Sequence, residues 1–372
     1  MLKKAFITGV IEQDKPWLAK LLTERGYEVQ GGVRKKAFIT GVNGQDGPWL
    51  AKLLIENGYE VYGGVRRGSK RDFRNLDFLG ITDKVKIVDF ELNEYSNIFK
   101  TIKDLQVDEF YNLAAQSYVG TSFTQPIYTG MVCGMGVAYL LDAIKTVSPH
   151  TKFYQASTSE MFGKVQEIPQ TENTPLYPRS PYGVAKLYAH WMTVNYRESY
   201  NLFATSGILF NHESELRGPE FVTRKITINI AKRNKGINEI LELGNIDAKR
   251  DWGYAKEYVE GMHLMLQAEK PDTFVLSTGV TVTVRDFVQA AFQVIGVNIE
   301  WRGEGVQEKG YNSKTGELLV QINPAFYRPA EVELLVGDAS KAEKILGWKP
   351  KVGYQELAEI MVKNDIDLLS KM

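Results

Sequence analysis

The glycine turn Gly41-Val42-Asn43-Gly44-Gln45-Asp46-Gly47 constrains this chain more than any other segment. It lies between a short apolar run at 36–40 and a stretch with Leu at helical spacing at 46–57, and a second β-branched and apolar run follows at 59–65. In a strand-turn-helix-strand unit of this kind the first glycine makes the tight turn. The second lets backbone approach a pyrophosphate, and the third lets the helix pack closely on its strand. The context predicts dinucleotide binding, with Gly41, Asn43, Gly44, Gln45, Asp46 and Gly47 at the phosphates.

The unit occurs twice. Residues 3–34 align without gaps to residues 35–66, with 26 of 32 positions identical. The first copy carries Gly9, Glu12 and Lys15 where the second carries Gly41, Gly44 and Gly47. A carboxylate at Glu12 would repel phosphate oxygens, so cofactor binding is assigned to the second copy. Two copies are too few for a solenoid, and residues 1–34 are expected to be a duplicated, non-functional segment, with a regulatory or assembly role as the alternative.

From Lys36 the pattern alternates, with strands expected at 36–40, 59–65, 84–88, 108–112, 152–156 and 203–209 and helices at 46–57, 94–104, 129–146 and 182–200. The fold class is therefore α/β: a Rossmann-type, doubly wound parallel sheet with a smaller C-terminal α/β substrate domain. The first domain is expected over 35–210, with a returning helix and strand near 253–277. The second takes 211–252 and 278–372, in which 310–316 reads as a mobile loop. Lys+Arg and Asp+Glu balance at 45 each, which argues against nucleic acid as a partner. No apolar run approaches a bilayer's thickness, so neither a membrane nor a signal segment is expected and the cytoplasm is the default. One cysteine, Cys133, and four scattered histidines give no disulfide and no metal spacing.

The run at 59–65 ends in Arg66 and Arg67, with no acid at the ribose-reading position; arginines there favour the 2′-phosphate of NADP over NAD. Downstream, the strand at 152–156 leads into Thr158 and Glu160, and Tyr182 and Lys186 follow at i and i+4 on one helix face. An ammonium so placed is expected to lower the phenol's pKa, letting Tyr182 exchange a proton with a sugar hydroxyl or carbonyl while Thr158 adds a hydroxyl.

Together these residues resemble the extended short-chain dehydrogenase/reductases and, within them, the GDP-mannose 4,6-dehydratase family. The resemblance runs from Lys36 to the C-terminus through NLAAQSYVGTSF, FYQASTSEMFG, YPRSPYGVAKLYAHWMTVNYRESY, GILFNHES, FVTRKIT, RDWGYAKEYVEGM and YRPAEVE. It implies a redox-neutral lyase on GDP-mannose, the first step toward GDP-fucose and other GDP-deoxyhexoses, with Thr158, Glu160, Tyr182 and Lys186 as the catalytic set and Glu160 working at C5 and C6. Beside the cofactor it implies Glu91, Leu92, Leu113, Ala114, Ala115 and Leu209 as well as Tyr182 and Lys186. For the substrate it implies Ser117, Asn211, Glu213, Val222, Lys225, Arg250, Arg328 and Glu331. It further implies self-association as a dimer or tetramer, with the Arg66–Arg71 region reaching a neighbour's cofactor site. The chain departs from the family at Ser214-Glu215-Leu216-Arg217-Gly218, where a Pro and paired arginines usually precede the glycine. A 4-keto reductase, a nucleotide-sugar decarboxylase and a noncatalytic NADP-binding derivative are the alternative readings.

Overall fold

The structure is a computed structural model that describes residues 3–6, 21–30, 34–68, 71–327, 332 and 334–371. The first copy contributes β1 (Lys3–Phe6) and β2 (Tyr27–Gln30), which pair in parallel as a two-stranded sheet of their own. The glycine turn of that copy, with Gly9, Glu12 and Lys15, lies outside the described residues.

The second copy supplies β3 (Lys36–Thr40) and β4 (Glu60–Val65), which enter the main sheet with β5 (Val85–Asp89), β6 (Glu109–Asn112), β7 (Lys152–Thr158) and β8 (Ala204–Leu209). After β9 (Asn211–Glu213), β10 (Leu241–Leu243) and β11 (Lys249–Tyr254), the chain returns through β12 (Thr273–Leu276) to complete a seven-stranded sheet in the order β12-β8-β7-β6-β3-β4-β5. All of its pairings are parallel. Strands buried on both faces need continuous apolar runs, and Ala37, Phe38 and Ile39 are at most 1% exposed. Strand order reverses between β3 and β6, and ligands of open parallel sheets settle in the crevice beyond such a switch point.

Helices cover both faces. Asp46–Glu56 and Ala255–Gln267 pack on one through Leu50, Leu54, Val259 and Met262. Tyr95–Leu105, Pro126–Val147 and Pro181–Tyr200 pack on the other, where Phe38 and Phe110 stack with ring centroids 4.9 Å apart. The Pro126–Val147 run is 22 residues long and apolar enough by composition to cross a bilayer, contrary to the sequence expectation. Glycines and Asp142 interrupt its apolar pattern without ending the helix. Half of its apolar window is buried, and Leu140, Leu141 and Ile144 lie under the sheet.

A second apolar core joins helices Val222–Asn234, Val284–Gln293 and Tyr354–Ser370 to two small sheets. In one, β13 (Thr281–Thr283) and β9 flank β11. In the other, β14 (Ile299–Arg302), β15 (Lys309–Asn312) and β16 (Leu318–Ile322) follow β10 in the order β10-β16-β15-β14. The expected loop at 310–316 is instead the end of β15 and the turn of its hairpin with β16. Ala342 and Trp348 pack into the first core, although they fall in the range expected for the second domain.

Among the described residues the β1–β2 pair makes no strand pairing with the main sheet, in which the second copy's β3 stands between β6 and β4. Removal of residues 1–34 is therefore expected to leave melting temperature and turnover essentially unchanged. A large loss of either would assign the first copy a role.

Candidate active site

The second glycine turn needs its glycines for different reasons. Gly41 adopts φ +67°, and a Cβ there would sit 3.1 Å from the Ala114 backbone. A Cβ on Gly47 would lie 2.4 Å from the Gly41 carbonyl oxygen and 2.6 Å from Val42 Cα, a collision with backbone that no side chain can relieve. Gln45, at the start of helix Asp46–Glu56, gives that helix no side-chain cap, so the first-turn N–H groups can serve an anion. Across the switch point the Thr40 hydroxyl donates to Asn112 Oδ1 at 2.8 Å and accepts the N–H groups of Leu113 and Ala114 at 2.9 Å, fixing the loop opposite the turn.

These elements open onto a cleft of about 1380 Å³. One drug-sized ligand usually takes about 300–1,000 Å³, so there is room for two. At the glycine-turn end it is lined by Gly41, Asn43, Gly44, Gln45, Asp46 and Gly47. Arg66, Arg67, Glu91 and Leu92 line it beyond β4 and β5, and Leu113, Ala114, Ala115 and Leu209 close it at the sheet. Arg66 Nη1 donates to the Tyr128 hydroxyl at 2.9 Å. Arg67 donates its backbone N–H to Glu91 at 2.8 Å, and its guanidinium pairs with Glu94.

Thr158, Glu160, Tyr182 and Lys186 meet at the middle of the cleft. β7 ends at Thr158, whose hydroxyl accepts the Glu160 N–H at 3.3 Å. The Ser180 side chain accepts the Gly183 N–H at 3.0 Å, capping the helix that carries Tyr182 and Lys186. The expected action of Lys186 on the phenol is not found in this arrangement. Its ammonium donates to the Ala156 carbonyl at 2.8 Å and sits 5.8 Å from the Tyr182 ring centroid. Burial, with smaller effects of Cys133 and Glu160, pushes the phenol above its ordinary 10, while Thr158 and Arg217 pull it down. Burial likewise lowers Lys186.

Of the residues assigned to substrate, Ser117, Asn211, Glu213, Val222, Lys225 and Arg250 line the same cleft. Glu213 is buried, accepting the Thr223 hydroxyl at 2.6 Å and forming an ion pair with Arg217, whose Nε lies 3.0 Å from the same carboxylate. Lys225 Nζ lies 3.8 Å from the Phe326 ring centroid. Arg250 is tied back, donating to the carbonyls of Lys249 at 2.9 Å and Val332 at 2.7 Å. Arg328 and Glu331 lie outside the described residues. In the departing loop Leu216 is buried in the first core, Tyr254 donates to Glu215, and Arg217 faces the Phe221 ring at 3.5 Å.

His212 was not singled out from sequence, yet it stands where the two halves of the cleft meet. Its Nδ1 is 2.7 Å from the Phe210 carbonyl and its Nε2 2.9 Å from Asp46 Oδ2. Gln45 Nε2 donates to Asp46 at 3.0 Å and to the His212 carbonyl at 3.0 Å. The string HES and the GQDG turn were the available signals, but neither says that they touch.

The polar character of the cleft fits a polar dinucleotide. Gln45 Oε1, Gln116 Oε1 and Asn211 Oδ1 are buried without a hydrogen-bond partner among the described residues, and all three side chains belong to the cleft wall. Such groups are costly unless something meets them.

Comparison with known proteins agrees with this layout. A sequence model of the family described as GDP-mannose 4,6 dehydratase matches residues 38–361. The chain is 50% identical over 369 residues to the GDP-mannose 4,6 dehydratase of Dictyostelium discoideum, covering 99% of this chain and 97% of that one. It is 51% identical over 375 residues to the protein of the same name from Cricetulus griseus, covering 99% and 92%. Among solved structures, a UDP-glucose 4-epimerase from Thermotoga maritima superposes with a TM-score of 0.77 at 22% identity, over 90% of this chain and 99% of that one. A dTDP-glucose 4,6-dehydratase from Streptomyces venezuelae, with NAD bound, gives 0.76 at 18%, over 90% and 98%. At such identities the two structures speak for the fold alone. The full-length likeness carries the assignment further: the chain belongs to the GDP-mannose 4,6-dehydratase family.

Proposed function

We propose that this chain converts GDP-mannose to GDP-4-dehydro-6-deoxy-mannose with NADP as its resident cofactor. The observation that carries the reading is the meeting of Thr158, Glu160, Tyr182 and Lys186 in one cleft with an uncapped glycine-turn helix. A dinucleotide held at the glycine turn would supply reversible hydride acceptance between C4 and C6 of the sugar, so that the reaction would carry no net redox change. Tyr182 takes the O4 proton as C4 is oxidised, and Thr158 orients the phenol. Glu160 removes the proton from C5, which the new ketone has acidified, and delivers it to the departing C6 hydroxyl, which leaves as water; C5 then regains a proton, the equivalent of the one Tyr182 took from O4, so that Tyr182 returns to its starting state. Lys186 holds positive charge beneath Tyr182, anchored on the Ala156 carbonyl.

The phosphates of the cofactor are assigned to Gly41, Gly44, Gly47 and the adjoining Asn43, Gln45 and Asp46. Arg66 and Arg67 are assigned to the 2′-phosphate, which favours NADP. Lys225, Arg250 and Arg328 are assigned to the GDP diphosphate. Self-association is part of the proposal: Ile127, Val184 and Trp191 on helices Pro126–Val147 and Pro181–Tyr200 are 82%, 55% and 56% exposed, an apolar surface suited to a second copy of the chain.

Incubation with GDP-mannose and catalytic NADP+ is the test. The expected result is a 4-keto product without net NADPH accumulation, formed faster with NADP+ than with NAD+. Stoichiometric NADPH turnover would favour a reductase, release of carbon dioxide from a uronic sugar nucleotide a decarboxylase, and binding without turnover a noncatalytic derivative.

A further inference from the structure

β9 is short, and strand alternation puts Asn211 and Glu213 on one side and His212 on the other. Asn211 and Glu213 are the residues assigned to substrate. His212 reaches instead to Asp46 in the glycine turn assigned to the cofactor, 166 positions away in sequence. Both partners of the imidazole, a backbone carbonyl at Nδ1 and a carboxylate at Nε2, can only accept. Both contacts are hydrogen bonds together only when each ring nitrogen carries a proton, so the protonated ring is a cation held at both ends. Its face stacks on Tyr258, with centroids 4.7 Å apart and 16° between the planes. A parallel tie runs through Asn75, whose Nδ2 donates to the Gly44 carbonyl at 2.7 Å and to the Leu216 carbonyl at 3.1 Å.

We infer that His212 is a positioning residue that couples the two ligand sites, locking the strand of Asn211 and Glu213 to the glycine turn so that filling either site favours the other. The inference rests on the dinucleotide and GDP-sugar reading above. The charged groups facing His212 are Asp46 from the turn and Arg217 from the loop after β9, with Tyr258 from helix Ala255–Gln267. Burial acts to lower the histidine's pKa, but the Asp46 carboxylate and the Phe210 carbonyl outweigh it and raise it above 6.5. Asp46 is lowered in turn: burial opposes this, and His212 overcomes it. The ion pair is thus whole below 6.5 and is lost as pH rises through the raised value of His212.

NADP+ dissociation constants measured with and without saturating GDP on the full chain test the coupling. In the wild type GDP is expected to tighten NADP+ binding roughly tenfold, within the span of about 5–150-fold usual for coupled sites. His212→Phe keeps the stack on Tyr258 and removes both hydrogen bonds, and the ratio should fall to about one. Asp46→Asn should do the same, the double variant being no worse than either alone. The wild-type ratio should also decline at alkaline pH. In His212→Gln, which can still donate to Asp46 but cannot titrate, it should be intermediate and independent of pH; a merely structural role predicts neither behaviour. Asp46→Asn supplies the reading where His212→Phe does not fold. A ratio that survives both substitutions, or one near unity in active wild type, overturns the inference. Wild-type protein that binds neither NADP+ nor GDP overturns the functional reading instead.

Discussion

Glu160→Gln is expected to retain NADP+ and GDP binding while losing turnover of GDP-mannose by about a thousandfold, the middle of the 10²–10⁴ range for a positioned proton-transfer group. A carboxylate at a strand end is ordinarily a solvated charge. Glu160 is only 9% exposed, it sits in the tight turn Ser159–Met161, and the cleft runs past it. Its backbone is held from two directions. The Thr158 hydroxyl accepts its N–H, and Gly183 at the start of the Tyr182 helix approaches so closely that a Cβ there would lie 2.8 Å from the Glu160 carbonyl oxygen. The backbone of Glu160 is thus packed against the start of the helix that carries the phenol. Glutamine preserves shape and hydrogen bonding but cannot take the C5 proton, so the loss should fall on kcat, with KM changed little. Steady-state rates checked against separately measured binding decide the matter: near-native kcat removes Glu160 from the proton path, and a loss confined to KM makes it a binding group.

Much of this arrangement was legible in the residues. A strand buried on both faces must read as an apolar run, which is why β3, β4, β6, β7 and β8 fall within one or two residues of their expected limits; β5, an edge strand that exposes Lys86, falls within one. The placement of Tyr182 and Lys186 on one helix face follows from helical periodicity alone. What lay out of reach was the third partner in each contact. Spacing brings Lys186 beside Tyr182 but does not reveal that the Ala156 carbonyl on β7 takes its ammonium. His212 acquires its place from a residue at the far end of the first domain. The strand Lys309–Asn312 was hidden because Gly, Asn, Ser and Lys have the composition of a loop, and only pairing with β14 on one side and β16 on the other makes a strand of its residues.

The two glycines that the first copy has replaced should fail in different ways when its residues are moved into the second. In Gly44→Glu, the nearest atom to the new Cβ is the Gly41 carbonyl oxygen at 3.2 Å, a tight contact that a few tenths of an ångström relieve. The fold should persist, and the melting temperature should change little. A carboxylate would then stand where pyrophosphate oxygens belong, and two like charges at about 4 Å cost on the order of 4 kcal/mol near a protein surface, so NADP+ binding should weaken by about a thousandfold. In Gly47→Lys the Cβ meets backbone at 2.4 Å and 2.6 Å, and the turn or the helix Asp46–Glu56 must move away. Overpacking of this kind costs about 1–3 kcal/mol, so melting temperature and cofactor binding should fall together. Gly47→Ala, which adds the Cβ without the charge, should reproduce the Gly47→Lys defect, whereas Gly44→Ala should be far milder than Gly44→Glu. Calorimetry alongside NADP+ titration separates the two mechanisms. Full cofactor affinity in Gly44→Glu would mean that the phosphates bind elsewhere, and native stability in Gly47→Ala would mean that the turn yields where its backbone contacts say it cannot. The same contacts bar Lys15 from this geometry, so the first copy cannot take over the place of the second without first reshaping the turn.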